Sequence, residues 1–185
     1  MSDLPESPEA KPKPVAAPAP EPPTEPVSET LPLTVPSEYG PALDRLLALA
    51  TSEILVFDQN LRYGDWNSLT RTAVLRSFLL NHRHSRLQIV VHETTYIEGH
   101  LPRLVLLLRD FSHKFSILRT IEDGRNAWDS FVIVDGKHLV HRFHLDSTRG
   151  ELAFEVPLKA RVLRDRYEDI LAFTEPGVNA TQLGL

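Results

Sequence analysis

The sequence predicts one α/β domain, built on a mixed β-sheet flanked by helices, with a disordered N-terminal tail. Three observations predict this fold class. Twelve of the 15 prolines lie at or before Pro41. After Pro41, short apolar runs alternate with segments whose apolar residues recur at helical spacing. Late in the chain, Asp135-Gly136 joins two apolar runs, which is typical of a hairpin.

The segment 1–40 is rich in Pro, Ala and Glu and offers few side chains for a core, so we expect a disordered tail with local polyproline II structure. Up to Pro41 it carries seven acidic and two basic residues, which accounts for the net charge of −5 of the whole chain. The remaining residues, 18 basic and 18 acidic, are neutral. The tail is either a spacer or a Pro-rich ligand that recruits a partner protein.

The domain is expected over 41–174, with 175–185 as a C-terminal extension. Four helices are predicted within it from apolar spacing and from residues suited to a first turn. They begin at Pro41, at a cap formed by Asp65, near Pro102 and at Pro157.

Short apolar runs between these helices predict the strands. They cover 54–58, 87–92, 115–118, 131–134, 139–143 and 152–156. The resulting order is α-β-α-β-α-β-β-β-β-α. Early alternation favours parallel strands and the late hairpin adds antiparallel strands, which together make a mixed sheet.

The stretch from Asn126 to Gly136 carries a family resemblance. The element order, Asp135-Gly136 after the strand 131–134 and Glu155 near the last strand are similar to a single phospholipase D-like half. Members of that superfamily carry the motif H-x-K-x4-D. The resemblance implies a His that attacks phosphorus, a Lys that stabilises the phosphate oxygens and an Asp that orients the His.

In this chain the His and Lys positions of that motif hold Trp128 and Ser130. Indole has no basic nitrogen that could attack phosphorus, and serine carries no charge. The Gly-Ser-x-Asn segment that often follows is replaced by His141-Arg142-Phe143-His144. The sequence therefore predicts a fold without the ancestral catalysis, and it indicates no catalytic residue, no cofactor and no metal.

A narrower resemblance is to an uncharacterised bacterial family of degenerate phospholipase D type, sometimes found beside an N-acetyltransferase domain. It rests on the segments 99–104, 116–119 and 183–185. The N-terminus lacks a secretory signal and no run of about 18 apolar residues occurs, so we expect a cytoplasmic protein without a membrane span. Cysteine is absent, which excludes disulfides and thiolate metal sites.

Arginine dominates the basic residues after Pro41, 15 against three lysines, and arginine suits bidentate recognition of phosphate. Two interpretations stay open. Arg119 and Arg142 pair with Asp58, Asp135 or Glu155 for structural reasons, or they bind a phosphate at the carboxyl ends of the strands. The candidate ligand-binding residues are His92, His100, Arg103, Arg119, Arg142 and Asp135.

His138, His141 and His144 recur every third residue but fall around a predicted strand, so a metal site is disfavoured. Neutrality after Pro41 likewise disfavours nucleic acid. The leading hypothesis is a non-catalytic module that binds a phosphate-bearing ligand or a protein partner. The alternatives are a divergent phosphodiesterase using His92, His141 or His144, and an adaptor recruited through the tail. The residues do not indicate an oligomeric state, but the resemblance is compatible with a homodimer, since phospholipase D-like halves often pair.

Overall fold

The computed structural model describes residues 27–144, 147 and 149–178. Along the described chain the strands are β1 (Glu29–Leu33), β2 (Glu53–Asp58), β3 (Arg86–Val91), β4 (Phe115–Thr120), β5 (Ser130–Val134), β6 (His138–Arg142), β7 (Gly150–Phe154) and β8 (Thr174–Pro176). The helices are α1 (Pro36–Leu47), α2 (Leu69–Asn81), α3 (Thr95–His100), α4 (Pro102–Asp110) and α5 (Pro157–Leu171), with a 3-10 turn over Glu122–Asn126.

These strands form one mixed sheet in the order β1-β7-β6-β5-β2-β3-β4-β8. Strands β2, β3 and β4 are parallel, and the remaining neighbours pair antiparallel. The predicted α/β fold with a mixed sheet is therefore confirmed. We call the edge at which β2, β3 and β4 end the carboxyl edge; β5 begins there and β6 ends there.

Strand alternation sends apolar side chains to both faces of the sheet. The first face packs against α1, α2 and α4 through residues such as Leu46, Leu75 and Leu107. The second face packs against α5, which contributes Ala160, Leu163, Tyr167 and Ile170. No helix within the described residues is long and apolar enough to cross a membrane.

The folded part starts earlier than the sequence indicates. Strand β1 lies inside the segment predicted as a tail and pairs with β7 at the edge of the sheet. Leu33 is buried on the first face and Leu31 packs against it, while Pro32 is tolerated because an edge strand leaves one side unpaired. Helix α1 begins at Pro36 rather than Pro41, and the Glu38 carboxylate accepts hydrogen bonds from the N–H groups of Thr34 and Val35.

Two further boundaries differ from expectation. Ser68, not Asp65, caps α2, because its hydroxyl accepts a hydrogen bond from the N–H of Arg71 and Asp65 has a positive φ of 51°. At the other end, β8 and the buried Val178 extend the fold into the segment predicted as a C-terminal extension. The matched segments 99–104 and 116–119 lie on α3, α4 and β4, whereas 183–185 lies outside the described residues.

The predicted hairpin between β5 and β6 is present, with Val134 opposite His138. Asp135 and Gly136 have φ values of 50° and 66°, a left-handed conformation that Gly adopts freely and Asp tolerates. This turn lies at the edge of the sheet opposite the carboxyl edge.

Candidate functional site

The two replaced motif positions lie at the carboxyl edge, where β5 begins. Ser130 is the first residue of β5 and is fully buried. Trp128 precedes it by two residues and is 59% exposed. The nucleophile position is thus an exposed indole, and the cation position is a buried hydroxyl.

Around Ser130, the first face of the sheet holds a buried cluster formed by Tyr39, Asp58, Ser130 and Arg142. Three strands bring it together. Ser130 pairs with Arg142 in the register of β5 and β6, and β2 ends with Asp58 beside the start of β5. Tyr39 reaches the cluster from α1.

The guanidinium of Arg142 is buried and lies over two aromatic rings. Its Cζ is 5.2 Å from the ring centre of Tyr39 and 4.7 Å from that of Tyr63. Both distances are within the range of a cation–π contact. Arg142 therefore faces aromatic rings and the nearby Asp58 charge, and it presents almost no surface to solvent.

Burial raises the pKa of the Asp58 carboxyl. The N–H groups of Leu61 and Asn60, the charge of Arg142 and the Ser130 hydroxyl oppose that rise. Oδ1 of Asp58 accepts the two backbone N–H groups at 2.9 and 3.1 Å. Burial likewise raises the pKa of Tyr39, so its phenol stays protonated at neutral pH.

The loop between β2 and α2 closes the buried cluster. The two hydrogen bonds to Asp58 hold its start, and Leu61 and Gly64 have positive φ values of 60° and 89°. A Cβ at Gly64 would lie 2.6 Å from Leu43 and 3.0 Å from the Tyr39 ring. This close approach requires glycine, and it places Tyr63 against the guanidinium of Arg142.

On the second face, the same edge of the sheet carries an open groove of about 390 Å³, here called the Trp128 groove. Its floor and walls are formed by Asn126, Trp128, Asp129, His141, Phe143, Leu163 and Arg166. Trp128 and Phe143 are both more than half exposed. The groove is therefore aromatic, open and distinct from the closed cluster on the first face.

Asp129 is the electrostatic centre of the Trp128 groove. Its carboxylate lies 3.1 Å from Nε2 of His141 and accepts hydrogen bonds from Nε and Nη2 of Arg166 at 3.2 and 2.7 Å. Burial tends to raise the pKa of Asp129, but the hydrogen bonds from His141 and Arg166 and the Arg166 charge lower it overall. Asp129 thus stays ionised and fixes the positions of both neighbours.

The structure places the sequence-predicted candidates in separate networks. Nε2 of His92 donates to the carbonyl of Ala127 at 2.8 Å, so Nδ1 accepts from the Thr120 hydroxyl at 2.7 Å. Both ring nitrogens are engaged in tying β3 to the segment before β5. Arg119 donates to the Glu175 carboxylate on β8, through Nε at 3.1 Å and also through Nη2.

His100 and Arg103 lie on α3 and at the start of α4. The ring of His100 stacks on Tyr96 with centres 4.5 Å apart, and Arg103 donates to the backbone carbonyl of Asn67 at 3.1 Å. Arg142 is the candidate whose charge acts on Asp58.

Asp135 does not take an arginine partner among the described residues. Its carboxylate instead accepts the N–H and hydroxyl groups of Thr51 and Ser52 and the N–H of Glu53, at 2.7–2.9 Å. Burial tends to raise the pKa of Asp135, but these five donors lower it to about 2. The reason is positional, because the turn after β5 lies beside the start of the antiparallel β2. Asp135 is far from the carboxyl edge.

The three histidines that recur every third residue each contact a different neighbour. His138 accepts from the N–H of Glu155 at 3.1 Å, His141 contacts Asp129, and His144 stacks on Trp128 with ring centres 6.4 Å apart. They do not converge on a common point in the described structure. Glu155 also pairs with Lys137 at 2.7 Å.

Sequence reasoning missed Tyr39, Asp129 and Arg166. A signal existed for Asp129, which directly precedes a run of buried residues and is itself 8% exposed. No pattern links Arg166 on α5 to Asp129, since they are 37 residues apart. The closed cluster is shielded from solvent, and Oδ2 of Asp58 and Oγ of Ser130 have no hydrogen-bond partner among the described residues. The Trp128 groove instead offers an oriented histidine, a guanidinium and two exposed aromatic rings.

Most of this chain matches a known protein family. Residues 36–179 match the family described as "Domain of unknown function (DUF7931)". The chain belongs to this family. No curated protein matches it significantly.

Several solved structures share the fold at low sequence identity. TrmBL2, an archaeal chromatin protein with a described mode of DNA binding, aligns with a TM-score of 0.61 and 9% identity over 85% of this chain. That match spans only 56% of TrmBL2. Nuc from Salmonella typhimurium, a phospholipase D family member, aligns with a TM-score of 0.56 and 11% identity, over 83% of this chain and all of Nuc. NucT from Helicobacter pylori aligns with a TM-score of 0.54 and 11% identity, over 81% of this chain and 99% of NucT. The DUF7931 domain therefore has a phospholipase D-like fold.

Proposed function

We propose that this domain is a non-catalytic phospholipase D-like module that acts by binding. The observation that carries the proposal is the state of the two motif positions. An exposed indole replaces the nucleophile, and a fully buried serine replaces the cation. The strands on either side of Ser130 carry the buried side chains of Asp58 and Arg142, and the charge of Arg142 acts on Asp58.

Of the two kinds of ligand, the geometry favours a protein partner over a phosphate-bearing molecule. A phosphate site needs guanidinium groups that converge on open space. Arg142 is buried against aromatic rings, Arg119 is paired with Glu175, and Arg103 is bound to a backbone carbonyl. The exposed aromatic pair Trp128 and Phe143 instead resembles the anchors of protein interfaces.

Two measurements on the full chain test the proposal. The protein is incubated with bis(p-nitrophenyl) phosphate, single-stranded DNA and phospholipid vesicles, and intact mass spectrometry searches for a phosphorylated protein. We expect neither turnover nor a covalent adduct. Thermal shift with phosphate and nucleotides tests the anion alternative; stabilisation that Arg119→Ala removes would shift the proposal to a phosphate-bearing ligand.

One contact favours a second candidate, a divergent phosphodiesterase. His141 is oriented by Asp129, and Arg166 lies beside the same carboxylate, which is an arrangement of nucleophile, orienter and cation. His92 lacks this capacity because both of its nitrogens are engaged. Hydrolysis of a phosphodiester that His141→Ala abolishes and His144→Ala leaves intact would establish this activity and refute the non-catalytic proposal. The adaptor hypothesis concerns the tail, of which residues 1–26 lie outside the described structure.

A further inference from the structure

The Trp128 groove does not end at Arg166. A second groove of about 250 Å³ shares Asn126 and Arg166 with it and continues past Ala127 to Ile170 and Phe173 on the α5 side. The two grooves together follow the second half of α5. They form an elongated depression, a shape suited to an extended peptide rather than a compact metabolite.

Apolar side chains along this depression are exposed to an unusual degree. Trp128 is 59% exposed, Phe143 is 52% exposed and Phe173 is 38% exposed. Helix α5 continues the apolar surface, because Leu158, Val162 and Arg166 follow one another at intervals of four and so share one face. Leu158 and Val162 are 82% and 67% exposed. Clustered exposed apolar groups mark interaction sites, and Trp is the residue most enriched among binding hot spots.

The charge of the depression selects among partners. Three carboxylates, Asp123, Asp129 and Asp169, and one guanidinium, Arg166, line the two grooves, a net charge of −2 with His141 neutral. Arg166 is neutralised by Asp129 at 2.7 Å. Asp123 and Asp169 are exposed and make no ion pair among the described residues. The uncompensated charge is therefore negative and lies in the second groove, which adjoins the one that Trp128 and Phe143 line.

From this combination we propose that the depression binds a basic, apolar peptide segment of a partner protein. A large apolar side chain of that segment packs between Trp128 and Phe143 onto Leu163. A neighbouring Lys or Arg lies against Asp123 and Asp169. The inference rests on the proposed function, because it names the partner class of a domain that acts by binding.

Selection of random 12-residue displayed peptides on the full chain provides the test, followed by fluorescence anisotropy with the recovered peptides. We expect recovered sequences to combine a large apolar residue with nearby Lys or Arg. Trp128→Ala and Phe143→Ala should each weaken binding about tenfold or more. Asp169→Lys should weaken binding of basic peptides and reduce its dependence on salt.

Matched controls keep the test specific. Leu80→Ala removes an equally exposed apolar side chain from α2, and Glu98→Lys reverses an exposed charge on α3; neither should change affinity. Thermal melts verify that each variant is folded. Recovery of acidic or purely polar peptides, or affinity unchanged by Trp128→Ala, would overturn the inference.

Two outcomes separate this inference from the proposed function. A dimer in light scattering that Trp128→Ala dissociates would assign the depression to a second copy of the chain and overturn the peptide proposal. Failure of every peptide, together with absent phosphodiester turnover, would refute the inference while the non-catalytic proposal stands. Turnover lost in His141→Ala would refute the proposed function even where peptides bind.

Discussion

Asp135, which matches the Asp of the motif, should stabilise the fold by linking the end of β5 to the start of β2. Its carboxylate accepts five hydrogen bonds from Thr51, Ser52 and Glu53, and its pKa falls from 3.8 to about 2. Roughly two units correspond to about 2.5 kcal/mol at most. Because the carboxylate is partly exposed, solvent screening reduces this to about 1 kcal/mol of stability at neutral pH.

Three substitutions separate the contributions of charge, side chain and backbone at this position. Asp135→Asn removes the charge and tolerates the φ of 50°, so it should cost about 1 kcal/mol. Asp135→Gly removes all five hydrogen bonds without backbone strain and should cost about 2 kcal/mol. Asp135→Ala adds the strain of a left-handed residue, about 1 kcal/mol more. Urea unfolding followed by fluorescence of the buried Trp66 measures all three.

The pH dependence gives the decisive result. A carboxyl whose pKa is lowered in the folded state stabilises fully above its unfolded pKa and loses that contribution as pH falls through the folded value. The difference in unfolding free energy between the wild type and Asp135→Asn should therefore stay constant down to about pH 5 and shrink between about pH 4 and 2. This role of Asp135 would be refuted by a difference in unfolding free energy that persists unchanged at low pH, or by an Asp135→Asn variant as stable as the wild type at pH 7.

Three other predictions concern stability. Asp58→Ala should cost about 3 kcal/mol in urea unfolding, because it removes a buried carboxylate near the Arg142 charge and leaves two N–H groups without their acceptor; Asp58→Asn should cost less. Gly150→Ala should cost about 2 kcal/mol or more of unfolding free energy, since a Cβ there would lie 2.4 Å from the carbonyl oxygen of His141. The matched change Gly40→Ala in α1 places a Cβ with no atom within 4 Å, so it should stabilise the fold by about 0.5–1 kcal/mol. Trp128→Ala should change stability by less than about 0.5 kcal/mol, as expected for an exposed side chain; a larger loss would mean that Trp128 is part of the core.

Much of the fold could be predicted from the sequence because the relevant signals are local. Apolar runs and helical spacing located most of the strands and helices, and Asp135-Gly136 located the hairpin. Strand β1 escaped prediction because its partner, β7, is over a hundred residues away and only that pairing orders a short segment containing Pro32. The sequence pattern around Leu31 and Leu33 is too short to outweigh the proline-rich composition before it.

The candidate site could be predicted only in part, since its chemistry depends on long-range register. The spacing of the motif located Trp128 and Ser130, and both lie at the edge where the resemblance places them. Which charges come close together depends on the sheet: β5 lies between the strands that carry Asp58 and Arg142, and Arg119 pairs with Glu175 only because β8 adds to β4. Asp129 and Arg166 meet across the second face, a contact that no local pattern encodes.

The position of the Arg142 guanidinium explains why the first face of the sheet is closed at the carboxyl edge, whereas the second face is open there. A lysine at position 130 would place its charge on the strand that Ser130 now begins, whereas Arg142 brings a guanidinium to the same place from the neighbouring strand. A guanidinium there can lie against the rings of Tyr39 and Tyr63 and near Asp58, so the charge is covered. With that charge internal, an anion gains little by approaching the first face. The exposed indole two residues earlier lies outside that closed cluster, and the groove next to the one it lines carries uncompensated negative charge. This edge therefore presents apolar and acidic groups, which is the chemistry that the proposed basic, apolar segment would recognise.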